Sequence, residues 1–216
     1  MLVELTQLLT ALASDPGQLS RGIIRIFHFM GLSMGLGAAT LLDLMIIRFF
    51  LGQEMTQQKF EMFAFLADLV NVGLKLLWVT GLGFLLFYWL QDPVKLTNEK
   101  VWAKMVIVFI LSVNGWFIHR SVLPFMYGQI GRTMLGGVPF RKKFAFVTMG
   151  MISVVSWYGP LIIANLPQLN FAVPMIQILM AYGLVLLVVL TIAHLVLFGS
   201  EIAAFGRNRF GRRSYL

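Results

Sequence analysis

Five apolar runs recur along the chain, each long enough at 1.5 Å per residue to cross the roughly 30 Å hydrocarbon core of a bilayer. They read as spans over Ile23 to Phe50, Phe63 to Leu90, Trp102 to Pro124, Phe144 to Ala164 and Val173 to Phe198. Inside lipid a backbone has to satisfy its own N–H and C=O groups, so runs of this length predict helices. The expected fold class is all-α, a polytopic membrane helical bundle of about five transmembrane helices, with residues 1–216 as a single integral membrane domain. Charged residues limited to 12% and a mean hydropathy of +0.84 agree, both lying far from soluble averages. Residues 1–20, where LLTALA is short and ended by Asp15-Pro16-Gly17, are expected to lie at the interface. Residues 200–216 read as a basic cytoplasmic tail.

A net charge of +8 would point to nucleic acid in a soluble chain. Here the basic residues gather in connections and at the C-terminus, so they report topology and no nucleic-acid partner is expected. With the N-terminus outside, eleven lysines and arginines fall on the inner side and five on the outer, which predicts N-out, C-in. The absence of cysteine removes disulfides, thiolate metal sites and cysteine nucleophiles. No P-loop, HExxH or nucleophile elbow occurs, which argues against a hydrolase or a nucleotide-driven pump.

Ionisable side chains inside spans are costly and commonly functional. The third span places Lys104 and His119 roughly 60° apart around the helix and roughly 22 Å apart along it, with Gly115 between them and Asn114 beside it. In the first span Gly31, Gly35, Ala39 and Asp43 form a small-residue ridge suited to close helix packing, with His28 within about 60° of it. Asp68, Asn71 and Lys75 form a stripe on the second span that is expected to face the bundle. The fourth span carries Ser153 and Ser156-Trp157-Tyr158-Gly159-Pro160, where proline predicts a kink or helix end. The fifth carries His194.

Two functional expectations follow. His119 and His194 each lie about one turn from the inner end of their spans, so they can sit level and offer two imidazoles to one b-type haem. With no cysteine, His28, His119 and His194 are the strong metal-donor candidates, and Lys104 is a candidate counter-ion for a carboxylate or haem propionate. The first expectation is an integral membrane haem b protein with an electron-transfer or oxidoreductase role. The alternative is a small transporter or ion-handling protein built on Asp43, Asp68 and Lys75, either paired with Arg48 or Arg120 or relaying a proton. A bland version has Asp43 neutralising Lys75 and pinning two helices. Trp157 and Tyr158 join His28 and Lys104 as an outer cluster, with Asp92 nearby, or belong to an aromatic belt.

HFMGLSMGLGAATLLDLMIIRF in the first span, KVWAKMVIVFILSVNGWFIHRSVLP in the third and SWYG in the fourth resemble a group of bacterial inner-membrane proteins. More distantly, a first-span histidine followed by a Trp-x-x-Lys entry to a later span resembles HemJ-type protoporphyrinogen oxidases and the membrane domain of copper-resistance D proteins. That resemblance implies a multi-pass protein of the bacterial inner membrane, with His28 as haem ligand and Lys104 as propionate or substrate partner. The tyrosine–histidine pair that the HemJ pattern carries about three turns after the lysine is replaced here by Asn114-Gly115. The partners expected are the bilayer, a redox partner or quinone, and a second copy of the chain.

Overall fold

A computed structural model describes residues 4–7, 10, 14–50, 54–132 and 138–211. Five helices are long and apolar enough to cross a membrane, and no strand forms among the described residues. We number them α1 (Pro16–Phe50), α2 (Gln57–Gln91), α3 (Glu99–Phe117) with its short continuation α4 (Leu123–Tyr127), α5 (Phe140–Ala164) and α6 (Met175–Gly211). All five expected spans are present. Glycines 136 and 137 and the tail arginines 212 and 213 lie outside the described residues. Call the end where α1, α3 and α6 begin the upper end.

Helix boundaries follow local chemistry. Thr56 caps α2 by accepting the Lys59 amide on its hydroxyl, and Asn98 caps α3 by accepting the Lys100 amide on its carbonyl oxygen. Pro124 does not end the third span. Five residues of π-helix, Ile118–Val122, precede it, and the Leu123 amide reaches back to the Ile118 carbonyl. The wider turn accommodates a residue that has no N–H and would otherwise crowd the preceding turn. Pro160 likewise leaves α5 running on to Ala164. The last helix continues past Gly199 to Gly211, where the sequence reading had already begun a tail.

The bundle has two lobes. In one, α1 and α2 form an antiparallel hairpin with the most extensive contact in the molecule; in the other, α3, α5 and α6 pack on one another. The hairpin closes on its glycines: a Cβ at Gly73 would stand 2.5 Å from the Gly35 amide nitrogen, and one at Gly31 3.1 Å from the Gly73 carbonyl oxygen. The small-residue ridge therefore does what lipid cannot supply, bringing backbones close enough for dispersion to hold them. Trp157 of α5 lies over Gly35, where a Cβ would collide with its ring, and so joins the lobes. By contrast α2 and α3 meet through side chains, the Trp78 indole donating to Ser112 Oγ at 2.8 Å and Asn71 bonding to His119.

Polar links at the upper end secure the second lobe. Lys100, 4% exposed, donates Nζ to the carbonyls of Leu166 (2.7 Å) and Ala164 (3.4 Å), placing a cation at the C-terminus of α5. Glu99 accepts the Met175 amide at 2.6 Å, an anion at the start of α6. At the lower end Phe49, Met55, Phe63, Val122 and Met126 form a closed apolar cluster.

Candidate functional site

Because α2 and α3 keep apart, the space between the lobes holds two cavities, one above the other, that share Leu111 and Trp157 as walls. The upper cavity, about 370 Å³, is lined by α1, α2, α3 and α5. Its polar groups include Arg25, His28, Tyr88, Lys104 and Asn165, with no aspartate or glutamate among the lining residues. Its walls are largely apolar and aromatic, including Phe84, whose ring meets the His28 ring edge-on at 5.5 Å.

The hydrogen bonds fix the chemistry of His28. Thr80 donates its single hydroxyl proton to the Leu76 carbonyl at 2.6 Å. Toward His28 Nδ1, 2.8 Å away, it must therefore accept. His28 is thereby held as the Nδ1–H tautomer, leaving Nε2 with a bare lone pair and no hydrogen bond among the described residues. Lys104 is half-buried and has no ion pair or hydrogen bond within the described residues. Trp157 is 2% exposed, and its Nε1–H is buried without a partner. Asp92 does not reach this group, being paired with Lys95 at 2.6 Å.

The lower cavity, about 70 Å³, draws one polar residue from each of four helices: Asp43, Asn71, His119 and Ser153. Asn71 Nδ2 donates to His119 Nε2 at 2.9 Å, so His119 carries its proton on Nδ1. His194 lines neither cavity. It donates Nδ1–H to the Leu190 carbonyl at 2.7 Å, and its Nε2 lies 3.2 Å from Thr148 Oγ1 against the Phe144 ring.

Several expected groupings are thus revised. His119 faces α2 and His194 faces α5, so the two rings expected to sit level turn to different helices. Asp68 and Lys75 are exposed on the outside of α2, and of that stripe Asn71 alone turns inward. Neither forms an ion pair with Asp43, and Arg120 lies over the Trp116 ring, 5.6 Å from its centre. Asn114 is structural, donating to the Met149 carbonyl at 2.9 Å. Tyr158 is also outside the cavities, donating to Thr40 Oγ1 at 2.9 Å, since the Thr40 proton goes to Leu36. His28, Lys104 and Trp157 do come together, as expected of the outer cluster.

Thr80, Arg25 and Trp78 were missed. The hairpin pairs Gly35 with Gly73 and Gly31 with Leu77, which sets His28 opposite Thr80; no periodicity in the second span marks that register. No three His, Asp or Glu side chains converge to hold a metal ion among the described residues. In the upper cavity a bare transition-metal ion would lack a ligand set, whereas a porphyrin brings four nitrogens and asks the protein for an axial ligand. The donor chemistry of the upper cavity, an imidazole nitrogen and two cations without partners among the described residues beside apolar and aromatic walls, is of the kind such a ring needs.

These features define a class: an all-helical, multi-pass membrane bundle with a cationic, aromatic-walled cavity between two lobes. No family model, no curated protein and no solved structure matches the chain.

Proposed function

We propose that the protein binds haem b in the upper cavity and serves an electron-transfer or oxidoreductase role in a bacterial inner membrane, oriented N-out, C-in. The observation that carries this reading is the Thr80-held tautomer of His28, which leaves Nε2 free on a residue lining a cavity with two cations that have no partner among the described residues. A hydrogen bond on the far ring nitrogen is the usual way a protein orients an axial histidine and raises its basicity. His28 would supply that ligand, and Lys104 and Arg25 the counter-charges for propionates. The apolar walls would exclude water from the ring. When bound, the group supplies one-electron chemistry, and exchange would be with a redox protein or a quinone. The resemblance of the first and third spans to HemJ-type oxidases supports the same two residues.

Absorbance spectroscopy of protein purified from haem-replete cells tests this. A Soret band is expected, lost in His28→Ala and retained in His119→Ala and His194→Ala. Lys104→Met should weaken haem retention while leaving the axial ligation spectrum unchanged. Colourless wild-type protein, or a spectrum lost only with His119 or His194, overturns the assignment.

A further inference from the structure

The lower cavity poses a separate question of charge. Asp43 sits in a membrane-spanning helix, and no lysine, arginine or hydrogen-bond donor within the described residues meets its carboxylate. On its own helix Arg48 makes no pair with it. On α2 the charged neighbours Asp68 and Lys75 point outward, and on α3 Arg120 is turned to Trp116. The one titratable group that shares the cavity is His119, whose Nε2 accepts from Asn71. A carboxylate inside a span without a counter-charge is unfavourable unless a proton or a mobile cation neutralises it.

The remaining atoms favour the cation. Asn71 Nδ2 donates one hydrogen to His119, and neither its Oδ1 nor Ser153 Oγ has a hydrogen-bond partner among the described residues. With the Asp43 carboxylate they are oxygen donors lining one cavity, the donor type that hard cations prefer. One formal negative charge, with no group of three acidic or imidazole donors among the described residues, suits a monovalent ion better than a divalent one. Gly115 and Gly150 keep the space open: a Cβ built at either meets nothing within 4 Å. At about 70 Å³ the cavity has room for an ion and a few waters.

We infer that the lower cavity is a binding site for a monovalent hard cation of sodium size, held by the carboxylate of Asp43 with Asn71 Oδ1 and Ser153 Oγ. The site is independent of the upper cavity apart from the shared wall of Leu111 and Trp157, so it stands whether or not haem is bound there.

Scintillation-proximity binding of radiolabelled sodium to the full chain in nanodiscs of zwitterionic lipid, with choline chloride holding ionic strength constant, tests it. Saturable binding is expected, displaced by unlabelled sodium, weakened at least about tenfold in Asp43→Asn, which removes the formal charge, and weakened less in Ser153→Ala. Sodium should also change the fluorescence of wild-type protein, because Trp157 walls the cavity, and that change should disappear in Trp157→Phe. Absence of saturable binding to wild-type protein overturns the proposal and leaves a proton as the counter-charge of Asp43. Equal binding by wild type and Asp43→Asn overturns the site. None of these readouts involves haem, so the two assignments fail separately.

Discussion

A single threonine decides which nitrogen of His28 is open. Its hydroxyl has one proton, and once the Leu76 carbonyl takes it, only acceptance remains for the imidazole. Thr80→Val keeps the shape and removes the acceptor, so the ring loses its fixed tautomer. Haem titration of the apoprotein should then show affinity lower by about 10–100-fold, the usual cost of losing an outer-shell partner, while helix content is unchanged. Wild-type affinity in Thr80→Val would mean that the hydrogen bond does not position the ligand. At this scale the sequence was legible where a charge interrupted an apolar run: His28, Lys104, Asp43 and His119 all line cavities. It was illegible for Thr80 and Trp78, which look ordinary in a span and matter through what stands opposite. Asp68, Asn71 and Lys75 show the remaining difficulty. Their spacing puts them within about 60° of one another, but Asn71 lies at the edge of the inward face and the other two fall just beyond it.

Among the elements, the five helices could be read from hydropathy and length, and the ridge of Gly31, Gly35 and Ala39 from spacing. The partner Gly73 could not, because a lone glycine in a span carries no periodicity of its own. Two neighbouring glycines give a direct contrast. A methyl group at Gly35 runs into Trp157, whereas one at Gly37 meets nothing within 4 Å. Gly35→Ala should lower stability by roughly 1–3 kcal/mol through overpacking, and Gly37→Ala should be neutral or gain up to about 1 kcal/mol of helix propensity. Thermal unfolding in detergent, compared side by side, checks this; equal melting temperatures would mean that Trp157 does not rest on Gly35. Helix ends were read less well than helix centres where the backbone departs from a regular helix: the third span runs past Pro124 to Tyr127 through a π-turn, whereas the fourth ends at Ala164 as expected, with Pro160 inside it.

For the whole molecule, the charge asymmetry of the connections supports the proposed orientation. Periplasmic and cytoplasmic reporter fusions at Gly137 and Leu216, both outside the described residues, should report from the cytoplasmic side. A periplasmic signal at either would reverse the orientation or change the number of spans that insert. The division into lobes was not legible from hydropathy, which sees five similar helices and cannot tell that α2 and α3 stand apart. That seam bears on how the protein is made. The closest interface in the molecule, Gly31 and Gly35 against Gly73, lies wholly within α1 and α2, so it can be complete once Gln91 has emerged from the ribosome. Helices that insert one after another and then associate are thereby spared a wait for distant partners. The first hairpin can bury its own small-residue ridge during synthesis, and the later helices arrive to find a preformed wall against which both cavities close.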